Sequence, residues 1–253
     1  MSMNEKVAWT QRELKDPHRA VDKAQRVRAM FAAIAPRYDL NNRLHSLWRD
    51  QAWRRKAVKM AGVRGTDVVL DVACGTGDLA FAFVRGGAGE VWGVDFTPEM
   101  LLVAEAKAVR GGEGVRPKFL AGDATALPLP DRSVDVVTIA FGIRNVAEPG
   151  RAMAEFYRVL RPGGRVVVLE FSLPRNRWLR GGYEFYFNRI LPRTAGWIAR
   201  DRSGAYEYLP RSVNTFLGRE QMQEMLVEAG FKQVVLKSMT MGIAVIYRGV
   251  KQG

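Results

Sequence analysis

A glycine-containing turn lies where an apolar run gives way to a helical pattern. The run from Asp71 to Asp78 includes Gly75, Thr76 and Gly77. Glycines let the backbone adopt dihedral angles that other residues avoid, so the chain can approach a ligand closely. A turn of this kind occurs in many nucleotide-binding folds and also as a plain strand-to-helix connection. The turn alone therefore indicates a ligand site only weakly.

Two acidic residues further along the chain narrow the chemistry. Asp95 ends the next apolar run, and Asp123 with Ala124 ends the one after it. A carboxylate at the end of the second strand can accept hydrogen bonds from both ribose hydroxyls. Asp123 can accept from an adenine amino group while the Ala124 amide donates to the ring. Because no phosphate-binding lysine follows the glycine turn, the set predicts a nucleoside site without a pyrophosphate.

The elements that must position these residues alternate between two kinds. Short apolar runs that predict strands fall at 67–72, 90–94, 118–121, 134–141 and 165–171. Patterns that predict helices fall at 75–84, 98–109, 149–160 and 221–229. Strand–helix alternation is typical of a parallel sheet covered by helices on both faces. Two last strands, at 234–238 and 243–248, predict an antiparallel hairpin. The prediction is a doubly wound, mostly parallel seven-stranded α/β sheet closed by that hairpin.

Two segments fall outside the alternation. Near the N-terminus, apolar residues at helical spacing predict a helix that Pro36 ends, followed by a helical stretch over 44–60. Residues 173–217 form an insertion too long for an ordinary connection, and such insertions are usually functional. We expect residues 1–62 to be a helical segment that covers the site and residues 63–253 to be the catalytic domain.

Composition excludes some classes of protein. The only cysteine, Cys74, rules out an intramolecular disulfide and a multi-cysteine zinc site, which fits a reducing cytosol. The polar N-terminus predicts no signal peptide. The formal net charge of +13 is unusual and leaves three readings open: nucleic acid, an anionic membrane surface, or solvated surface arginines.

Several motifs together resemble one family of enzymes. The turn at 71–78, Asp95, Asp123 and the Arg161-Pro162-Gly163-Gly164 turn resemble the Rossmann-like class I methyltransferases. The narrower resemblance is to the menaquinone/ubiquinone biosynthesis C-methyltransferases, the UbiE family. It is carried by segments 30–39, 141–146, 168–172 and 206–212, of which Phe-Gly-Ile-Arg-Asn-Val at 141–146 is the most specific.

The resemblance implies S-adenosylmethionine as cofactor and a ring carbon of a reduced polyprenyl quinone as acceptor. The implied cofactor-binding residues are Asp71, Gly75, Thr76, Gly77, Asp95, Asp123 and Ala124. No metal is required, because the donor sulfonium is already a strong electrophile. Arg144 is the first choice for stabilising a phenolate, with a surface ion pair as the alternative. Asn145 could orient a water or the substrate hydroxyl.

Three further residues are candidates for the site. Tyr38 and Asp39 belong to the N-terminal motif and are expected to close over the site. Asp39 could be the general base, although helix capping explains it equally well. Glu170 could contact substrate or only pair with an arginine.

A polyprenyl substrate implies peripheral contact with the inner face of an anionic membrane. Within the insertion, aromatic and aliphatic residues alternate with arginines, a pattern that suits a membrane interface. The apolar members are Trp178, Leu179, Tyr183, Phe185, Tyr186, Phe187, Ile190, Leu191, Trp197 and Ile198. The basic members are Arg175, Arg177, Arg180, Arg189, Arg193 and Arg200. A helical lid that packs on the core would produce the same pattern.

Three other functions remain open at this point: a nucleic-acid methyltransferase, a small-molecule methyltransferase of a secondary pathway, and a cofactor-binding scaffold without catalysis. The motif at 141–146 argues against the second, and no motif for adenine amino-group methylation supports the first. The sequence favours demethylmenaquinol as acceptor but leaves the benzoquinol, the tail length and the oligomeric state open.

Overall fold

Seven strands make up the sheet in the computed structural model, which describes residues 9–10, 12–111, 115–194 and 204–253. In chain order they are β1 Val68–Val72, β2 Glu90–Asp95, β3 Lys118–Ala121, β4 Val134–Ala140, β5 Leu160–Phe171, β6 Lys232–Met239 and β7 Ala244–Val250. Their order across the sheet is β3-β2-β1-β4-β5-β7-β6. The first five strands run parallel, and β7 pairs antiparallel with both β5 and β6. The predicted fold class is thereby confirmed, including the closing hairpin.

Nine α-helices connect and cover these strands within the described ranges. They are α1 Lys23–Ile34, α2 Tyr38–Ser46, α3 Arg49–Ala61, α4 Asp78–Arg85, α5 Pro98–Arg110, α6 Pro149–Val159, α7 Arg177–Phe185, α8 Ala205–Thr215 and α9 Arg219–Glu228. None of the helices in these ranges combines the length and apolar composition that a membrane span requires.

The sheet separates two apolar layers. On one face, Trp53 of α3 and Phe83 of α4 pack among the valines of the central strands. On the other face, Phe156 of α6 and Leu226 of α9 do the same. Because α3 belongs to a core layer, the N-terminal segment 1–62 contributes to the core of the sheet as well as to the cover of the site.

The single helical stretch predicted over residues 44–60 is wrong. Helix α2 ends at Ser46 and α3 begins at Arg49, with Leu47 and Trp48 between them in the left-handed conformation (φ 51° and 59°). Their amides bond back to carbonyls of the last turn of α2, which closes that helix. Leucine and tryptophan seldom adopt positive φ, so side-chain periodicity could not reveal the break.

A third apolar cluster joins the N-terminus to the insertion, above the carboxyl ends of the parallel strands. Trp9 stacks on Tyr208 of α8 with ring centroids 4.7 Å apart, and Met30 of α1 packs in the same cluster as Phe187. Phe187 lies in a π-helical turn, Tyr186–Ile190, that continues α7. The two segments that interrupt the strand–helix alternation therefore fold together into one cap.

One carboxyl group is buried inside the sheet itself. Asp71 on β1 is 1% exposed and pairs in register with Thr138 of β4. Its Oδ2 and the Thr138 hydroxyl have no hydrogen-bond partner among the described residues. Burial raises the pKa of Asp71 to about 8, although the Arg54 guanidinium and the Ala80 amide oppose this effect.

This burial makes the stability of the fold depend on pH. Between its unfolded pKa, near 4, and about 8, the folded protein keeps a proton on Asp71 that the unfolded chain has released. The contribution of Asp71 to stability therefore falls as pH rises through this window. We expect Asp71→Asn to melt at progressively higher temperature than wild type between pH 4 and pH 8, which calorimetry at several pH values would measure.

Asp67→Asn is the matched control. Asp67 is also buried, but its ion pair with Arg165 helps to lower its pKa. Its contribution is present above the unfolded pKa, so this variant should be less stable than wild type throughout the neutral range. If the melting temperatures of Asp71→Asn and wild type differed by the same amount at every pH between 4 and 8, the buried-proton explanation would be contradicted.

Candidate functional site

Two adjoining cavities open above the carboxyl ends of the parallel strands. The smaller, which we call the strand-end cavity, has a volume of about 200 Å³ and includes Gly75 and Asp95 in its wall. The larger, which we call the apolar cavity, has a volume of about 490 Å³ and lies under the cap. Phe31, Tyr38 and Phe141 line both. A ligand in one cavity would therefore be close to a ligand in the other.

The glycine turn forms the floor of the strand-end cavity. Gly75 has φ 55°, and a β-carbon built on it would meet no atom within 4 Å, so the backbone is open to a ligand there. Gly77 is required for two other reasons: it has φ 81°, and a β-carbon there would lie 2.8 Å from the Phe119 ring. Gly77 does not line the cavity.

Asp95 at the end of β2 is the best-placed carboxylate in this cavity. Its Oδ2 accepts from the Gly75 amide at 2.7 Å, and its Oδ1 accepts from the Thr97 amide at 2.8 Å. Burial raises the pKa of Asp95, while these amides oppose the shift. Each carboxylate oxygen can accept a second hydrogen bond. The group therefore fixes the glycine turn and can still receive donors from a ligand.

Asp123 and Ala124 stand at the far end of the same cavity. The Asp123 Oδ1 accepts from the Thr125 amide at 2.8 Å and from its hydroxyl at 2.9 Å, so this side chain closes its own turn. Ala124 is buried against the core, and both residues line the cavity. Gly75, Asp95, Asp123 and Ala124, which the sequence predicts to share a site, thus line a single cavity.

The other two predicted cofactor residues point elsewhere. Asp71 lies below the glycine turn in the sheet, and Thr76 donates its hydroxyl to Asp39 of α2. Neither lines the strand-end cavity. Their part in cofactor binding stays a prediction, and the geometry gives them the task of supporting the turn.

Sequence reasoning missed part of the cavity wall. Phe96, Thr97 and Met100 line it directly after β2, and Ala24 and Val27 of α1 line it from the cap. Phe96 could have been predicted to line the cavity, because it directly follows the strand-end carboxylate Asp95. For Ala24 and Val27 the sequence offers none, because their amphipathic helix could have packed anywhere.

Arg144 is buried beside Glu170, with side chains 5% and 3% exposed. Its Nη1 donates to Glu170 Oε1 at 2.7 Å and to the Phe141 carbonyl at 2.6 Å, and its Nε donates to Ser212 Oγ at 3.3 Å. Burial raises the pKa of Glu170, an effect that the Arg144 charge opposes. The alternative of an ion pair with a surface carboxylate is therefore wrong, since the partner lies inside the protein.

Arg144 nevertheless borders the apolar cavity. Its Nη2 makes no hydrogen bond to any described residue, whereas Nε and Nη1 are both engaged. The Glu170 contact fixes the guanidinium over the Phe171 ring, 5.4 Å from its centroid. One face of the cation is thus held and another is available to a ligand.

Asn145 and Tyr38 also lie at the junction of the cavities. Asn145 lines the strand-end cavity and is fixed at both ends of its amide, donating to Phe141 O at 3.3 Å and accepting from Tyr208 Oη at 2.9 Å. Tyr38 lies edge-on to Phe31, with centroids 5.9 Å apart. Burial raises the pKa of Tyr38, which disfavours it as a base.

Asp39 is placed in a polar network outside both cavities. Its Oδ2 accepts from Lys107 at 2.8 Å, and the same ammonium donates to Asp78 at 2.7 Å. Thr76 occupies Oδ1, and Arg43 approaches Asp78 at 3.5 Å. The geometry does not support Asp39 as the general base, a role that stays a prediction. It links the cap to the start of α4.

The start of α1 is tied to the site by a lysine that the sequence did not single out. Lys23 donates to the Val146 carbonyl at 2.6 Å and contacts His18 Nδ1 at 3.2 Å. Burial lowers the pKa of Lys23 to about 8, with a further contribution from Arg144. Val146 lines the strand-end cavity, so this contact holds the cap against it.

The insertion has two different faces. Tyr183, Phe187 and Leu191 pack in or against the cap cluster, as an ordinary lid would. Trp178 is 90% exposed and Phe185 is 61% exposed on the opposite side. The first face packs as a lid would, whereas contact of the second face with a membrane stays a prediction. Trp197, Ile198 and Arg200 lie outside the described residues.

Comparisons with known proteins agree with this architecture. The model of the ubiE/COQ5 methyltransferase family matches residues 19–251. A demethylmenaquinone methyltransferase of Thermus thermophilus is 48% identical over 221 residues, covering 87% of this chain and 99% of the relative. A ubiquinone/menaquinone biosynthesis C-methyltransferase UbiE of a Geobacter species is 44% identical over 232 residues, covering 91% and 98%.

Solved structures share the fold at low identity. A SAM-dependent methyltransferase from Thermotoga maritima superposes with a TM-score of 0.63 at 21% identity, covering 89% of this chain and 100% of that one. Another, from Aquifex aeolicus, has a TM-score of 0.57 at 19% identity, covering 78% and 89%. From the match over nearly its whole length, the chain belongs to the ubiE/COQ5 methyltransferase family.

Proposed function

We propose that this enzyme transfers a methyl group from S-adenosylmethionine to a ring carbon of a reduced polyprenyl quinone precursor, with demethylmenaquinol as the favoured acceptor. The observation that carries the proposal is the pair of cavities with a common wall. One is edged by carboxylates at the strand ends, and the other is larger and lined mainly by aromatic and aliphatic side chains. A nucleic acid would leave most of the apolar lining of the second cavity without a partner.

The residues of the strand-end cavity fit the nucleoside part of S-adenosylmethionine. Asp95 keeps acceptor capacity for ribose hydroxyls, and Gly75 leaves open space where a side chain would block a ligand. Asp123 and Ala124 line the same cavity, and their chemistry suits an adenine ring, with the carboxylate as acceptor and the amide as donor. When bound, the cofactor supplies an electrophilic methyl group on a sulfonium. The chain must then align an acceptor carbon with that methyl group.

The acceptor requires charge stabilisation from the chain. A ring carbon becomes nucleophilic when a neighbouring hydroxyl loses its proton, and the resulting phenolate needs a cation or hydrogen-bond donors. Arg144 can supply both through Nη2, because Glu170 and the Phe141 carbonyl hold the rest of its guanidinium. Asn145, fixed by Tyr208, sits beside the junction and can orient the hydroxyl or a water.

The tail of the acceptor explains where the enzyme would work. A polyprenyl chain keeps the substrate in the bilayer, so we place the enzyme peripherally at the inner face of the membrane. The exposed face of α7, which carries Trp178, supports this location, because aromatic residues favour the membrane interface.

A direct assay tests the proposal. Purified protein with methyl-labelled S-adenosylmethionine should label reduced demethylmenaquinol, and should label the corresponding benzoquinol more slowly. RNA offered under the same conditions should remain unlabelled. Absence of label in either quinol, with the cofactor shown to bind, would leave the scaffold hypothesis standing.

Removing the Asp95 carboxylate should weaken cofactor binding. Two charge-assisted hydrogen bonds to the ribose would be lost, so we expect Asp95→Ala to reduce affinity for S-adenosylhomocysteine by roughly a hundredfold. Isothermal titration measures it, with circular dichroism to establish folding. Asp131→Ala removes an exposed carboxylate outside both cavities and should bind as wild type does. Unchanged affinity in Asp95→Ala would remove this residue from the cofactor site.

The role of Arg144 needs a variant that leaves no orphaned charge. Arg144→Ala alone would strand Glu170 in the interior, which typically costs about 3–5 kcal/mol of stability. The double variant Arg144→Gln/Glu170→Gln removes both charges. We expect its kcat to fall roughly a hundredfold while S-adenosylhomocysteine affinity is retained.

Glu170→Gln is the control for that pair: it keeps the guanidinium and an acceptor at position 170 but leaves the Arg144 charge without its carboxylate, so circular dichroism must first establish that it folds. Its kcat should fall much less than that of the double variant. A double variant that is folded and turns over at the wild-type rate would show that Arg144 has only a structural role.

A further inference from the structure

Two turns at the surface present large apolar side chains to solvent. Leu47 and Trp48, between α2 and α3, are 77% and 56% exposed, and Met241, between β6 and β7, is 73% exposed. The two turns are neighbours, because Trp53 of α3 donates its indole N–H to the Thr240 hydroxyl at 2.8 Å. Three exposed apolar residues are therefore gathered on adjacent elements.

The backbone of both turns is strained. Leu47, Trp48, Thr240 and Met241 all have positive φ, between 46° and 59°. Asparagine or glycine would adopt these dihedral angles at lower cost. Leucine, tryptophan and methionine side chains that are more than half exposed gain little packing energy in the isolated protein to offset the strain. These side chains are thus unfavourable here unless something outside the molecule covers them.

Basic side chains without a carboxylate partner among the described residues extend from the turns along the two elements that flank them. Arg49, Arg55, Lys56 and Lys59 lie along α3, and Lys237 lies on β6. In the described part of the chain none of them forms an ion pair with a carboxylate, whereas Arg144, Arg158 and Arg165 all do. Lys237 stands so close to Lys56 that it lowers the pKa of that amine. An anion bound between the two ammonium groups would reduce the repulsion between them.

The apolar cavity reaches the surface at this same place. Leu47 and Arg49 are exposed and also line that cavity, and Thr240 lines it from the other turn. A molecule leaving the cavity here would pass between the two apolar turns. The mouth of the cavity therefore has an apolar rim with positive charge beside it.

We infer that this portal face, formed by the Leu47–Trp48 turn, Met241 and the basic residues of α3 and β6, docks on an anionic bilayer, so that the apolar cavity opens directly against the lipid. The inference rests on the proposed function, because a polyprenyl tail would enter through this mouth. Basic residues adjoin headgroup phosphates while apolar turns enter the interfacial layer. A nucleic acid would engage the charges but would gain nothing from Trp48 and Met241.

Vesicle sedimentation with two double variants tests the portal face. Trp48→Asn/Met241→Asn removes the apolar contacts with a residue that tolerates positive φ, and neither position lines a cavity. Its binding to phosphatidylcholine vesicles containing phosphatidylglycerol should fall roughly tenfold and remain weak at high salt. Lys56→Gln/Lys237→Gln should lose roughly tenfold at low salt and little at high salt.

Matched controls remove the same kinds of side chain elsewhere. Leu102→Gln/Val109→Gln replaces exposed apolar residues of α5, and Arg85→Gln/Arg110→Gln replaces exposed basic residues of α4 and α5. Both controls should bind vesicles as wild type does. The inference would be overturned if either portal variant bound vesicles as wild type does, or if the controls lost as much binding as the portal variants. Tight binding of RNA by a protein that does not bind vesicles would also overturn it.

Turnover separates this inference from the proposed function. The portal variants should methylate a short-tailed, water-soluble quinol at the wild-type rate and lose rate on a long-tailed quinol in vesicles. Vesicle binding as expected with no methylation of any quinol would refute the proposed function alone. Methylation of the soluble quinol by a wild-type protein that ignores vesicles would refute the docking surface alone.

Discussion

The buried pair of Arg144 and Glu170 is the contact on which the site depends. Two charges can be taken from water at tolerable cost only if each finds the other and the remaining donors and acceptors are satisfied. Glu170 is fixed at the end of β5 by the Phe171 amide at 2.8 Å, and Arg144 reaches it from the turn after β4. Ser212 of α8 adds a third anchor. Two strand ends and the cap are thus joined at one point.

The cap is held together by apolar side chains that its two segments bury against each other. Its helices arise from two segments far apart in sequence, and neither could bury its apolar face alone. Trp9 on Tyr208, with Met30 and Phe187 nearby, gives them a common core. Polar ties at its edge, Lys23 to Val146 and Asp39 to Lys107, fix how that core sits over the strands. These contacts hold the cap over the strand ends, where it encloses the apolar cavity.

Much of this could be predicted from the sequence, and what failed has physical causes. Runs of strand length between helical patterns predicted a strand near each of the seven observed positions. The signal is clearest for the buried parallel strands β1 and β4 and weaker for the more exposed β3 and β6. Asp95 was recoverable because it ends such a run. The sequence suggested an arginine partner for Glu170 and an ion pair for Arg144 but did not connect the two, and it gave no partner for Asp39. Tertiary contacts such as Arg144 to Glu170, 26 residues apart, leave no local pattern. The Leu47–Trp48 break was hidden because its residues are ordinary helix formers.

Phe141 shows how the two cavities are kept apart yet adjoining. It directly follows β4 and has φ 57°, a conformation that a bulky residue adopts only when its surroundings impose it. Here its amide bonds to Leu169 at 2.7 Å, its carbonyl accepts from Arg144 and Asn145, and its ring lies 4.4 Å from that of Phe171. This backbone twist turns the chain so that Arg144 faces the apolar cavity and Asn145 the strand-end cavity. Strain at one residue thereby sets two neighbouring side chains on opposite sides of the place where donor and acceptor must meet.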